Sequence, residues 1–190
     1  VLLFSLKFFG RLLAGTPEPL LRAGAAVLGD AIFFLLPRRR RLVLSNLHHA
    51  FPEKPVAWHR AIGRESCRRI VETAMLSLAT PFLGEARLRE IVAVSPELLA
   101  GFAAHRAAPV PTLICSPHLA YWEAQTSMPP NIPGAFPEFG IIFRPLDHAA
   151  ANAFVTESRS RFGMRLLSRK EGFAEALKIL RRRGYVGVLF

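Results

Sequence analysis

Residues 112–123, Thr-Leu-Ile-Cys-Ser-Pro-His-Leu-Ala-Tyr-Trp-Glu, constrain the fold more than any other stretch. Leu113–Cys115 is a short apolar run with the length of a buried strand, and Ser116-Pro117 breaks it. His118 follows, with Glu123 five positions on. On a continuous helix five residues turn the side-chain direction by roughly 500°, about 140° past a full circle, so the two groups would diverge. They converge only if His118 occupies a turn and Glu123 the first turn of a following helix. The stretch therefore predicts a strand–turn–helix unit with a carboxylate placed to orient an imidazole, which is what a general base requires. The competing reading is a partly buried histidine that bonds a backbone carbonyl at a strand end. The coincidence of strand, break and spacing favours the base.

The elements around this unit read as α/β. Ile91–Val94 is expected as a short strand. Ser95-Pro96-Glu97 is a helix start, with Ser as N-cap and Pro at N1, and that helix runs to about Arg106. Met128 to Pro137 is a proline-rich loop that cannot be helical. Phe139–Phe143 is a strand ended by Arg144-Pro145. A helix over about 147–162, a strand over Met164–Leu167, and an amphipathic helix over Glu171–Arg183 follow. In that last helix Phe173, Ala176, Leu177 and Leu180 form the apolar stripe, and Gly184 is expected at C′. Tyr185–Phe190 reads as a buried strand. The expected sheet is mixed and flanked by helices, with site residues just beyond a strand's carboxyl end.

The first part of the chain reads differently. Residues 1–14 are apolar, with Lys7 and Arg11 four apart, as in an interfacial helix. Thr16-Pro-Glu-Pro19 breaks the run and offers an N-cap. Leu20–Leu36 is apolar again, but Arg22 and Asp30 interrupt the roughly 20 uncharged residues a clean span needs. Arg38–Arg41 would hold that end on the cytoplasmic side against anionic lipid. Residues 1–41 are therefore expected as a membrane-anchoring segment, either one poor span or a helix pair in the interface, and 42–190 as the α/β domain. After Pro55, one helical face is expected to carry Trp58, Ile62, Ile70, Ala74 and Leu78. The arginines at 60, 64, 68 and 69 lie off that face.

Composition narrows the partners. The net charge is +11, from 25 Lys/Arg against 14 Asp/Glu, and 51% of the residues are hydrophobic. A basic, apolar, Phe-rich chain suits an anionic membrane surface or phosphate-bearing substrates. Nucleic-acid binders are usually more hydrophilic, so no nucleic-acid partner is expected. Cys67 and Cys115 fall in a helix and a strand, which argues against a disulfide framework. No Cys/His group has zinc spacing, so no metal is expected.

His118-Leu-Ala-Tyr-Trp-Glu123 resembles the His-x4-Glu motif of the lysophospholipid acyltransferase superfamily. The chain looks most like the lauroyl/myristoyl acyltransferases of lipid A biosynthesis. Arg38-Arg-Arg-Arg-Leu-Val-Leu-Ser-Asn-Leu-His-His-Ala-Phe-Pro-Glu-Lys54 is similar to that family's basic segment after the membrane anchor. Phe143-Arg-Pro145 matches its aromatic-Arg-Pro, and Arg159-Ser-Arg161-Phe-Gly163 its Arg-rich segment before a Gly. The resemblance runs from about residue 10 to the end. It implies a glycerolipid acyltransferase-like fold at the cytoplasmic face of a bacterial inner membrane. It also implies transfer of an acyl chain from acyl carrier protein or CoA to a hydroxyl of a lipid A precursor or related glycolipid. The thioester is then a co-substrate, and no bound cofactor is called for. In the family the last strand continues into an acidic segment, so the α/β domain is expected to extend past Phe190.

On this reading His118 takes the hydroxyl proton and Glu123 orients it, as a triad acid does. Arg144, Arg159 and Arg161 are the candidates for holding phosphate, which guanidinium forks match; the resemblance favours Arg159. Cys115 is expected as core filler and not as a nucleophile. Rival readings are a lysophosphatidic-acid or mannosylated phosphoinositide acyltransferase, a hydrolase using His118 and Glu123 on water, and a catalytically silent membrane-surface fragment.

Overall fold

The computed structural model describes residues 1–168 and 172–189. Glu171 and Phe190, expected as the first residue of the last helix and the end of the last strand, lie outside them. The chain divides into two compact units, Val1–Phe9 with Thr80–Phe190, and Gly10–Ala79. Residues 42–79, expected in the α/β domain, thus group with the helices before them.

The helical unit contains the end of α1 (Leu2–Ala14), α2 (Glu18–Leu35), α3 (Pro37–Ala50) and α4 (Val56–Ala79). Thr16 caps backwards: its hydroxyl donates to the Leu12 carbonyl at 2.8 Å, at the end of α1. Pro17 is the N-cap of α2, with no side-chain cap bond. On α2 the buried residues are Leu21, Ala25, Gly29 and Phe33, an i,i+4 stripe. On α4 they are His59, Gly63, Cys67 and Ala79. The face expected on α4 is therefore displaced, and Ile62 and Ile70 are exposed. Two forces account for this. Small residues let the helices approach until a Cβ on Gly29 would lie 2.6 Å from the Arg68 backbone nitrogen. Asp30 also draws two α4 arginines toward α2: Nε and Nη2 of Arg64 donate to its oxygens at 2.7 and 2.5 Å, and those of Arg68 both at 2.7 Å. A doubly forked carboxylate fixes the register of α2 on α4 more sharply than scattered apolar contacts do.

Among the described residues no single helix is long and apolar enough to cross a membrane. Glu18–Leu35 and Pro37–Ala50 together meet that length and composition, but they are bent by 93°.

The sheet unit is α/β. Strands β1 (Thr112–Ser116), β2 (Phe139–Phe143), β3 (Arg165–Ser168) and β4 (Tyr185–Leu189) stand in the order β1-β4-β2-β3. Every described pairing is parallel, where a mixed sheet was expected. Parallel neighbours need crossovers, and α7 (Ala149–Ser160) and α8 (Gly172–Arg181) supply them after β2 and β3. One face of the sheet buries Leu167 and Val186 under Ala176 and Ile179 of α8. The other packs Phe139, Ile141 and Tyr185 against Phe102, Met128, Ile132 and Met164. Phe102 belongs to α6 (Pro96–Ala107), whose predicted cap is present, Ser95 accepting from the Leu98 amide at 3.2 Å.

Three local expectations change. Ile91 ends α5 (Glu85–Ile91), and Val92 is extended and buried but joins no described strand. Its carbonyl accepts from the Asn131 side-chain amide instead of a ladder. β1 is at the edge of the described sheet, with Leu113 and Cys115 exposed, while α8 packs mainly on β2, β3 and β4. At the end of α8 the left-handed residue is Arg183, with φ 61°. Gly184 follows it, where a Cβ would lie 2.7 Å from the Glu138 carbonyl. Glycine is needed there for close approach.

Two tests follow from this packing. A Cβ added to Gly24 on α2 would meet nothing within 4 Å, whereas one on Gly29 would meet backbone. Gly24→Ala should stabilise the protein by about 0.5–1 kcal/mol through helix propensity, and Gly29→Ala should lower its melting temperature. Equal effects would contradict the α2–α4 packing. Glu138 accepts from Arg182 and from Arg165, and these bonds hold its carboxyl at about 2, well below its ordinary 4.5. A depressed folded-state value gives stability that is present above the ordinary carboxylate range and is lost as pH falls toward the folded value. Glu138→Gln should therefore flatten the loss of stability between about pH 5 and pH 2, read as melting temperature against pH.

Candidate active site

The site begins where β1 ends. Pro117 stops the strand, and the Leu119 amide returns to the Pro117 carbonyl at 2.9 Å. Ala120 then adopts φ 47°, a left-handed conformation that costs a non-glycine residue roughly 1 kcal/mol. The tight reversal is held from outside. The Tyr121 hydroxyl pairs with the Thr80 hydroxyl, and burial pushes the Tyr121 phenol up to about 12. A short 3₁₀ helix, Trp122–Ser127, follows, with Glu123 in its first turn. Gln125 reaches back to the Ser116 hydroxyl at 2.5 Å, tying the helix to the strand end. This is the predicted strand–turn–helix unit.

The Glu123 carboxylate is gripped by Arg159 in the last turn of α7. Arg159 Nε donates to both oxygens, at 3.2 and 3.0 Å, and Nη2 to Oε1 at 2.6 Å. The side chains are only 12% and 13% exposed, so the pair is largely out of water. The same guanidinium lies 4.7 Å from the centre of the Trp122 ring. Trp122 in turn meets the His118 imidazole edge-on, with ring centres 5.4 Å apart at 71°. Glu123 was expected to act on His118 directly; the carboxylate contact the structure shows is with Arg159.

His118, Trp122, Arg144 and Arg159 line one cleft of about 320 Å³. Ile142, Phe143, Leu146 and Leu189 give it an apolar wall. It lies at the carboxyl ends of β1, β2 and β4, where parallel α/β sheets bind ligands. Arg144 follows β2 directly and is 69% exposed, and among the described residues its ion pair is a long 3.9 Å contact to Asp147. It is available to meet an anion at the cleft. Arg161 is elsewhere: its Nη1 donates to the Thr80 and Leu83 carbonyls at 3.1 and 2.7 Å, and its guanidinium covers the Phe162 ring. It braces the segment that carries Thr80 and does not line the cleft. Cys115 is exposed and is not core filler. Among the described residues no group of three or more His, Cys, Asp or Glu converges as a metal site.

Sequence reasoning paired His118 with Glu123 and expected Tyr121 and Trp122 to pack or to line a groove; Trp122 lines the cleft, and the Arg159 fork on Glu123 was missed. Nothing in the spacing joined Arg159 to Glu123, because α7 and the 3₁₀ helix meet only through the fold.

A family model described as bacterial lipid A biosynthesis acyltransferase matches residues 2–190. No curated protein matches the chain. A parallel α/β sheet with a histidine at the carboxyl end of a strand, matched by that model over nearly its whole length, places the chain in the bacterial lipid A biosynthesis acyltransferase family.

The fork gives a stability test. Removing one partner of a buried pair leaves an uncompensated charge and costs about 3–5 kcal/mol, whereas replacing both with apolar groups can be near neutral. Glu123→Leu and Arg159→Met should each destabilise strongly, and the double variant should cost less than the two together by about 1 kcal/mol or more. Additive losses in urea unfolding would show that the two side chains do not form a pair.

Proposed function

We propose that this chain is a membrane-surface O-acyltransferase that moves a fatty acyl chain from a thioester to a hydroxyl of a lipid A precursor or related glycolipid. The observation that carries this reading is the composition of the cleft in a chain of this family. A histidine stands at the strand end beside an apolar wall and an exposed arginine. The wall suits the acyl chain and Arg144 suits a phosphate. His118 is the general base: it takes the hydroxyl proton as the oxygen attacks the thioester carbonyl, and the C–O bond forms. The C–S bond then breaks, and the imidazolium returns the proton to the departing thiolate. No serine or cysteine nucleophile is required. The donor is acyl carrier protein or CoA carrying the acyl thioester, with lauroyl or myristoyl as the expected chains.

The proposed location is the cytoplasmic face of the bacterial inner membrane. Arg38–Arg41 stand at the N-terminal end of α3, where the helix dipole disfavours cations; an anionic lipid surface would relieve this. Within the same helical unit, exposed Phe34 and Leu35 on α2 offer apolar contact to such a surface.

Labelled acyl transfer from acyl carrier protein to a phosphorylated lipid acceptor tests the chemistry. His118→Ala should lose roughly 100-fold or more in rate. Arg144→Ala should raise KM for the phosphorylated substrate about 10-fold, the worth of one charge-assisted contact, with a smaller change in kcat. Unchanged transfer by His118→Ala would exclude it as the base.

A further inference from the structure

We propose that Trp122 is a positioning residue for His118, and that Glu123 and Arg159 serve it by clamping the indole. The inference rests on His118 being the base and concerns how the base is held. An imidazole turns about two side-chain torsions, and a general base must be aimed at one hydroxyl. His118 follows a proline and precedes a left-handed Ala120, so its backbone is fixed by the turn, and a wall beside the ring narrows the ring's own torsions. Trp122 supplies that wall, 5.4 Å away and edge-on, the geometry aromatic pairs prefer. A wall works only if it is itself immobile. The Arg159 guanidinium lies over the indole at 4.7 Å, and the fork with Glu123 holds the guanidinium at both carboxylate oxygens. The order of contact is carboxylate, guanidinium, indole, imidazole. The chain of contacts also decides between the arginines. Arg159 is committed to Glu123 and Trp122, which leaves Arg144 as the anion-facing guanidinium of the cleft.

This arrangement gives Glu123 a role that does not require it to touch the imidazole. It also ties together the adjacent Trp122-Glu123 pair: on the first turn of the 3₁₀ helix, Trp122 lines the cleft and Glu123 is buried. One residue faces the chemistry and the next anchors the element that keeps its neighbour still.

The test uses the whole chain with ¹³C-labelled histidine. Parent, Trp122→Phe, Trp122→Leu and Arg159→Lys are compared by the His118 ring resonance and by acyl-transfer kinetics. His118→Ala assigns the resonance. In the parent, the indole ring current should displace the His118 signal. Trp122→Leu should remove the ring-current displacement, and Trp122→Phe should restore part of it. Arg159→Lys keeps the charge but loses the fork, and should move the signal in the same direction as Trp122→Leu. In the kinetics, Trp122→Leu should lower kcat by roughly 10- to 100-fold, as misplacement of a catalytic group does, with KM within about 2-fold, and Trp122→Phe should recover most of the loss. A His118 resonance that does not move in Trp122→Leu overturns the proposal. So does an equal kcat loss in the Leu and Phe variants. If the parent transfers no acyl chain, the functional reading fails, and the resonance alone decides whether Trp122 holds the ring. If Trp122→Leu does not fold, Trp122→Phe and Arg159→Lys carry the same comparison.

Discussion

An arginine and a glutamate that leave water together must satisfy each other, and the Arg159–Glu123 fork does so with both carboxylate oxygens. Apart, either charge would be costly in that position. Together they join two elements distant in sequence, the short helix after β1 and the last turn of α7. The cleft at the carboxyl end of the sheet exists because these elements are held at a fixed spacing. Other ties around it include a local one, Gln125 to Ser116, and two that reach back to the segment after α4, Tyr121 to Thr80 and Arg161 to the Thr80 and Leu83 carbonyls. The Gln125 bond spans the His118 turn, and Tyr121 ties its far end to Thr80. A site that orders one imidazole against one hydroxyl gains most from such restraint, since orientation is fixed before the reaction begins.

The helical unit uses a similar device with a different balance. Asp30 receives two arginine forks from α4, while Gly29 beside it allows backbone-to-backbone approach. Small residues at the contact bring the helices close, and the carboxylate fixes which turn of α4 faces which turn of α2. Of the large apolar side chains of α2, Leu21 and Phe33 are buried in this contact, while others, among them Val27, Phe34 and Leu35, are exposed. Packing through small residues leaves those side chains on the outside of the helix pair.

Much of the sheet unit was legible in the sequence. Phe139–Phe143 falls as expected, and the strands at 165–168 and 185–189 and the helix starts at Ser95 and His148 lie within a residue or two of expectation. Proline breaks and apolar runs are local signals, and local signals survive into the fold. The strand–turn–helix around His118 was also readable, since a five-residue spacing admits few geometries. What failed depended on tertiary partners. Ile91–Val94 has strand-like residues, but no described strand pairs with it. The apolar face assigned to α4 was displaced because a carboxylate on another helix outweighed the periodicity. Arg161 and Arg159 look alike in sequence, two residues apart near the end of one helix. Their roles separate only where one meets backbone carbonyls and the other a buried carboxylate.

Everything proposed for this cleft turns on His118 being the group that moves the proton during acyl transfer. The most direct measurement is chemical modification of the native chain by an imidazole-acylating reagent, with peptide mass spectrometry to follow each of its six histidines while transfer activity is assayed in parallel. Loss of transfer should track modification at His118, a phosphorylated lipid acceptor should slow both together, and hydroxylamine should restore both. Transfer that persists with His118 fully modified, or that falls with modification of another histidine while His118 is intact, would contradict this role.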